Sequence, residues 1–306
     1  MDERVASLTS MMTALMRSVH GRVDPKPIID DPWGDRLVRR AAQDAVAALM
    51  RSTADEASAP ADSADDAAFD RLLRGNLAYD SVILRARYAE DAVAAALTRG
   101  VRQYVLIGAG FDSYALRRPD GLSDLRIFEV DHPATQDFKR RVLAQQGVTP
   151  SPGLHFAAAD LAKTGLRGAL TAAGFDVSAP AIFVWLGVTM YLTREANLQT
   201  LRAVAEVAAA GSALVFNYMD SAIFTLMAAQ NFDRAFFDRF QQAVASAREP
   251  LVCGFAPAEM PGLLTAAGHA LVEDVTDAGL VARYDGDGAN GLRPNGLNHT
   301  VRTRMG

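Results

Sequence analysis

Two glycines separated by one residue follow a short apolar run near the middle of the chain. The run YVLI at 104–107 has the character of a buried strand and leads directly into Gly108, Ala109 and Gly110. Asp112 comes next, just before a helix-like run. A glycine turn between a strand and a helix brings backbone N–H groups and a helix N-terminus together, where they bind nucleotide-like ligands. The turn therefore predicts a cofactor site.

Acidic residues end the next two predicted strands. Glu129 and Asp131 close the strand LRIFEV, roughly 20 residues after the turn, where an acidic side chain accepts hydrogen bonds from ribose hydroxyls. Two residues apart in a strand, both carboxylates are expected on one face. Asp160 ends the third strand, where it can accept a hydrogen bond from an adenine amino group. The three strand ends together predict a nucleoside pocket.

The third glycine of the dinucleotide pattern GxGxxG is replaced by Ser113. That glycine allows the close helix–strand packing behind a pyrophosphate. Its absence favours S-adenosylmethionine over NAD, with Gly108 and Gly110 beside the methionyl portion. The helix N-terminus near Asp112 favours the carboxylate of that portion. An NAD-linked oxidoreductase is the alternative from a different class.

The elements that position these residues alternate between strand and helix. Strands are predicted at QYVLI, LRIFEV, LHFAAA, PAIFVWLG and GSALVFNYM, each followed by a helix-like run. Such alternation predicts an α/β fold with a parallel sheet and helices on both faces. We divide the single domain into an N-terminal helical cap (1–75), a cofactor-binding core (76–220), a helical lid (221–250) and a C-terminal part of the sheet (251–306). Four phenylalanines of the lid share one helix face, which either packs on the core or lines an apolar substrate pocket; they are Phe232, Phe236, Phe237 and Phe240.

Five segments in this order resemble one family of enzymes. They are RARYAEDAV, VLIGAGFDSYALR, FEVDHPATQDFKR, ADL and WLGVTMYLT. The set resembles the leucine carboxyl methyltransferase-like family of S-adenosylmethionine-dependent methyltransferases, which includes bacterial O-methyltransferases of polyketide and other secondary metabolism. The resemblance implies a Rossmann-like class I methyltransferase with a seven-stranded sheet, an antiparallel last strand and N-terminal helices over the cofactor.

The resemblance also implies roles for individual residues. Gly108 would line the methionyl part, Asp131 with Glu129 beside it would take the ribose, and Asp160 and Leu161 would hold the adenine.

Arginines in two segments are implied at the methionyl end. Arg85 or Arg87 in RARY would pair with the methionine carboxylate, and Arg17 in the N-terminal helices is a further candidate. Leu186 stands where members that act on protein phosphatases have a glutamate, which weakens the case for that protein substrate.

Methyl transfer from a sulfonium mainly requires that nucleophile, methyl and sulfur be held in line. A carboxylate acceptor needs no base, whereas a hydroxyl benefits from one. The candidate catalytic residues are His132, Tyr191 and Tyr218. No histidine spacing suggests a metal site.

Composition narrows the remaining classes. The net charge of −5 argues against a nucleic-acid binder, and no apolar run is long enough to span a bilayer. A single cysteine, Cys253, favours a reducing compartment, so we expect a cytoplasmic enzyme. The sequence predicts an O-methyltransferase that uses S-adenosylmethionine, releases S-adenosylhomocysteine, and acts on a carboxylate or hydroxyl of a small molecule. Methylation of a peptide or protein carboxyl terminus is the second reading.

Overall fold

The computed structural model of the protein describes residues 7–53, 66–117, 122–159, 165–229, 251–294 and 296–306. Four helices come first: α1 Leu8–Val23, α2 Trp33–Thr53, α3 Asp66–Arg74 and α4 Tyr79–Thr98. The core then alternates through β1 Gln103–Ile107, α5 Tyr114–Arg117, β2 Arg126–Asp131, α6 Pro133–Gln145, β3 Leu154–Ala158, α7 Leu166–Ala172, β4 Ala181–Trp185, a 3-10 turn Thr189–Tyr191, α8 Arg194–Val207 and β5 Ala213–Met219. After α9 Ala222–Ala229 the chain is described again through a 3-10 turn Pro257–Glu259, α10 Met260–Ala266, β6 Ala270–Thr276, α11 Asp277–Tyr284 and β7 Asn298–Arg304.

The seven strands form one sheet in the order β3-β2-β1-β4-β5-β7-β6. Strands β1 to β5 are parallel, and β7 runs antiparallel between β5 and β6. The predicted class I methyltransferase fold with an antiparallel last strand is confirmed. Strand order reverses between β1 and β4, and open α/β sheets bind ligands at such a point.

Two hydrophobic layers cover the sheet. Helices α1 to α6 and α11 contribute to one face, together with Leu106 and Val215 of the strands. Helices α7, α8 and α10 cover the other face, with Ile107 and Phe216. Because side chains alternate along a strand, this division determines which residues at the strand ends can reach the same site.

Local signals in the sequence account for several helix starts. Ser7 caps α1 by accepting from the backbone N–H of Ser10 at 3.1 Å, and Thr193 caps α8 in the same way. Pro133 occupies the first turn of α6, where its missing N–H costs nothing. These side chains satisfy backbone donors that a helix leaves open at its N-terminus.

The predicted lid is described only in its first part, as α9. The phenylalanines at 232–240 lie outside the described residues. Among the helices of the described ranges, none is long and apolar enough to cross a membrane.

Candidate active site

The glycine turn after β1 is bound to the end of β2. The backbone N–H groups of Gly108 and Ala109 donate to the carbonyl oxygen of Val130 at 2.8 and 3.2 Å. The N–H of Gly110 donates to a carboxylate oxygen of Asp131. Gly110 has φ +52°, a left-handed conformation that residues with a Cβ rarely adopt. The structure thus places the turn and Asp131 side by side at the switch point of the sheet.

Asp131 is held by backbone donors on both of its carboxylate oxygens. Oδ2 accepts from Gly110, and Oδ1 accepts from the N–H of His132 at 2.6 Å. Burial raises the pKa of Asp131, while these two N–H groups oppose the shift. Each carboxylate oxygen can accept more than one hydrogen bond, so the geometry suits a ribose with two hydroxyl donors.

The carboxylate of Glu129 is bound by a lysine, and its predicted place beside the ribose stays a prediction. Glu129 lies on the same sheet face as Asp131, but its carboxylate is only 1% exposed and is bound by Lys139 of α6 at 2.8 and 2.7 Å. Sequence reasoning missed Lys139, although it lies within FEVDHPATQDFKR. A lysine six residues after the start of α6 gave no local sign of being buried.

Asp112 caps the helix that follows the turn. Its Oδ1 accepts from the N–H of Tyr114 at 2.8 Å, and its carbonyl oxygen accepts from Lys139 at 2.6 Å. Its carboxylate therefore orients α5, and the predicted role in cofactor binding stays a prediction.

The two candidate arginines of α4 point in different directions. Arg85 is buried and lies against the backbone after β4, where a Cβ built on Gly187 would be 2.9 Å from its Nη2. Arg87 donates to the carbonyl oxygen of Ile28 at 3.2 Å and to Asp91 at 2.6 Å. Since residues two apart on a helix lie on nearly opposite sides, only one of them can face the turn. Arg87 does not lie at this site. Arg85 therefore remains the candidate to pair with the methionine carboxylate.

Arg85 has no hydrogen bond or ion pair with a described residue. Tyr191 and Asp277 are its favourable electrostatic neighbours, while burial lowers its pKa. The carboxylate of Asp277 is buried, and hydrogen-bonding neighbours Asn298 and Ser81 lower its pKa against the effect of burial.

Asn217 Nδ2 has no hydrogen-bond partner among the described residues. A buried charge without a hydrogen-bonded partner is costly, and Arg85 lies against Gly187, whose N–H donates to Asn217 Oδ1 at 2.7 Å. The arrangement fits a site that receives a polar ligand with a carboxylate.

Helix α1 lies over the turn. Ser10 Oγ accepts from the N–H of Phe111 at 3.2 Å. Arg17 donates to the carbonyl oxygen of Phe111 at 3.0 Å and to Asp31 at 2.8 Å. Both bonds hold Arg17 to other parts of the protein. Its predicted contact with the cofactor stays a prediction.

The three candidate catalytic residues occupy different environments. His132 caps α6, with Nδ1 accepting from the N–H of Ala134 at 3.3 Å. Tyr191 is half-buried beside Arg85.

Tyr218 is not brought to the site. It is fully buried, donates to Asp274 at 2.8 Å and stacks on His299. It packs on the sheet face opposite Arg85, because it follows Asn217 by one residue in β5 and side chains alternate.

An apolar cluster adjoins the ends of β4 and β5. Its buried part consists of Met190, Met219, Ile223 and Leu297, against which Tyr191, Phe224 and Leu251 pack.

The remaining predicted residues lie elsewhere. Leu186 is half-buried and packs against the hydrophobic layer that contains α1 to α6 and α11. Asp160 and Leu161, the predicted adenine contacts, lie outside the described residues. Within the described ranges, no three His, Cys, Asp or Glu side chains gather into a metal-binding group.

Comparison with known proteins defines the class. The family model of leucine carboxyl methyltransferase matches residues 10–205. YktD of Bacillus subtilis (strain 168), named provisionally as an S-adenosyl-L-methionine-dependent methyltransferase, is 29% identical over 93% of this chain and 95% of its own length. A protein of Mycolicibacterium gilvum (strain PYR-GCK) with the same provisional name is 35% identical over 70% of this chain and 67% of its own.

Solved structures show the same fold at low identity. A possible exported protein from Bordetella parapertussis has a TM-score of 0.54 and 15% identity, covering 97% of this chain and 95% of its own. A DUF574 family protein from Streptomyces avermitilis has a TM-score of 0.50 and 16% identity, covering 96% of this chain and 97% of its own.

The chain is an S-adenosylmethionine-dependent methyltransferase. It belongs to the leucine carboxyl methyltransferase family. The predicted cofactor and the predicted family are both confirmed, and the NAD-linked alternative is set aside.

Proposed function

We propose that the protein transfers a methyl group from S-adenosylmethionine to an oxygen of a small, largely apolar molecule. The observation that carries the proposal is the apolar cluster of Met190, Met219, Ile223 and Leu297, because Tyr191 packs against it and is also an electrostatic neighbour of the buried Arg85. Ligand pockets are mostly apolar with a few polar groups that fix orientation. An acceptor in contact with this cluster would lie next to the cofactor.

Different residues would bind different parts of the cofactor. Asp131 would accept from the ribose hydroxyls, and the buried Arg85 would pair with the methionyl carboxylate. When bound, the cofactor supplies a methyl group on a sulfonium. Helix α1, Tyr191 and the apolar cluster would exclude water from the acceptor oxygen. In the displacement, the oxygen–carbon bond forms as the sulfur–carbon bond breaks, and the electron pair of that bond stays on sulfur.

The acceptor oxygen belongs to a carboxylate or a hydroxyl. A carboxylate attacks in its ionised form, so no proton moves. A hydroxyl must lose its proton, and Tyr191 or His132 would be the first groups to test as acceptors of it. Membership in the leucine carboxyl methyltransferase family supports the carboxylate, which also keeps the carboxyl terminus of a peptide as the second candidate.

The first experiment is calorimetric titration of wild type and Asp131→Ala with S-adenosylhomocysteine. Loss of the ribose hydrogen bonds should weaken binding about 10- to 100-fold, since bonds to a charged group contribute about 1.5–3 kcal/mol. Asp137→Ala, on the exposed surface of α6, is the matched control and should bind like wild type. Equal affinity of Asp131→Ala and wild type would remove Asp131 from the site.

A turnover assay then identifies the class of molecule that accepts the methyl group. Purified enzyme with methyl-labelled cofactor is offered small apolar acids, phenols and peptides with a free carboxyl terminus. Methyl esters that form on small acids, or ethers that form on phenols, support the proposal. Methylation of the peptides alone would replace it with the second candidate.

A further inference from the structure

A buried lysine connects the two segments that meet in the nucleoside site. Lys139 of α6 is 0% exposed. Its Nζ lies 2.8 and 2.7 Å from the carboxylate oxygens of Glu129 and 2.6 Å from the carbonyl oxygen of Asp112. An ammonium group has three N–H donors, and these three oxygens accept all of them. Lys139 therefore has no donor left for a ligand.

Stability alone is a weak reason for such a pair. Burying both charges costs desolvation that their attraction only partly recovers, and apolar residues of similar volume often do as well. The bond to the carbonyl oxygen of Asp112 is different, because an apolar side chain could not make it. That bond joins Lys139 of α6 to Asp112, two residues after Gly110 of the glycine turn, while the same ammonium group holds Glu129 of β2.

Helix α6 holds β2 at a second point. Gln136 donates its side-chain amide to the carbonyl oxygen of Glu129 at 2.6 Å. Glu129 precedes Asp131 by two residues, and Asp112 follows Gly110 by two. The bonds of α6 thus bracket the contact between Gly110 and Asp131 on both sides.

We propose that Lys139 is a positioning residue for the adenosyl part of the cofactor. By fixing Glu129 and Asp112 together, it sets the distance between β2 and the glycine turn, and so directs the Asp131 carboxylate toward the ribose. The inference deepens the proposed function and rests on it.

The test compares two ligands in variants that leave no lone charge in the core. Lys139→Met combined with Glu129→Gln removes the ion pair and the bond to Asp112, and Lys139→Gln with Glu129→Gln is a second neutral pair. Calorimetry with S-adenosylhomocysteine and with 5′-methylthioadenosine, which lacks the amino-acid end, should show both ligands weakened about 10- to 100-fold. Both should suffer because both carry the ribose.

A spectroscopic readout separates positioning from general loss of stability. The amide of Gly110 should shift in a nitrogen–proton spectrum of the unliganded neutral-pair variants, because its bond to Asp131 is displaced. Leu264→Ala is the control: Leu264 is 0% exposed on α10, which packs on the opposite sheet face. It should lower the melting temperature without changing the Gly110 amide or the affinity for either ligand.

The outcomes are distinct. Neutral-pair variants that bind both ligands within twofold of wild type would overturn the role of Lys139. So would a loss confined to S-adenosylhomocysteine, which would place the effect at the amino-acid end, or a loss matched by Leu264→Ala. A wild-type enzyme that binds neither ligand would instead contradict the proposed function.

Discussion

At the level of single residues, the site is defined by a charged side chain that has no hydrogen-bond partner among the described residues and can therefore bind a ligand. Arg85 is buried without a hydrogen bond to a described residue, whereas Arg87 is bound to Ile28 and Asp91. The same sequence segment thus provides one guanidinium for the site and one for the packing of α4. The difference follows from two residues of helical rotation.

The two arginines therefore form a matched pair of variants. We expect Arg85→Gln to weaken S-adenosylhomocysteine binding about 10- to 100-fold, because a charge-assisted bond to the methionyl carboxylate is lost. Binding of 5′-methylthioadenosine should change little, since that ligand has no carboxylate. Arg87→Gln should leave both affinities near wild type. A larger loss for Arg87→Gln than for Arg85→Gln in the same calorimetric titrations would contradict the assignment.

At the scale of elements, helix α1 and the glycine turn are packed too closely for a side chain between them. A Cβ built on Gly110 would lie 2.1 Å from Ser10 Oγ, and the residue has φ +52°. Gly147, at the end of α6, has φ +67° with nothing within 4 Å of its Cβ position. The two glycines share a backbone conformation and differ in their neighbours.

Substitution by alanine separates these two effects. Gly147→Ala should lower the free energy of unfolding by about 1 kcal/mol through the backbone alone. Gly110→Ala should cost more, because Ser10 and α1 must also move, and it should weaken S-adenosylhomocysteine binding. Adding Ser10→Ala to Gly110→Ala should recover part of the stability. Urea unfolding of wild type and the three variants measures these free energies. Equal losses of stability for Gly110→Ala and Gly147→Ala would show that α1 can move away from the turn without cost.

At the scale of the whole molecule, the end of the sheet around α4 and α11 holds a carboxylate that opposes folding at neutral pH. Burial raises the pKa of Asp277 from 3.8 to about 6, while Arg85 lowers it. The folded protein therefore binds more protons here than the unfolded chain between these values. The contribution of Asp277 to the free energy of unfolding is greatest at low pH and falls as the pH rises through about 6.

Asp277→Asn should remove this pH dependence. At pH 7 to 8 the variant should be more stable than wild type by about 1–3 kcal/mol, the equivalent of a shift of one to two pKa units. Below about pH 4 the two proteins should have the same stability. Denaturant unfolding from pH 4 to 8 measures the difference, with Asp137→Asn as the exposed control. A variant less stable than wild type at pH 8 would show that Asp277 stabilises the fold through Arg85.

The order of elements and the cofactor class could both be predicted from local patterns of residues. Strand and helix patterns are local, so QYVLI and LRIFEV could be recognised as strands to within a residue or two of their ends. The glycine turn and Asp131 could be identified because each is tied to a strand end, and parallel strands bring their carboxyl ends to one edge.

Which of the predicted site residues lie close together depends on long-range packing. Whether the Glu129 carboxylate can bind a ligand depends on its contact with Lys139 of the neighbouring helix α6. Whether Tyr218 reaches the site depends on the sheet face toward which its side chain points. Arg85 and Asp277 are far apart in the chain and become electrostatic neighbours because α4 packs against α11. Such contacts come from long-range packing, which a local residue pattern does not encode.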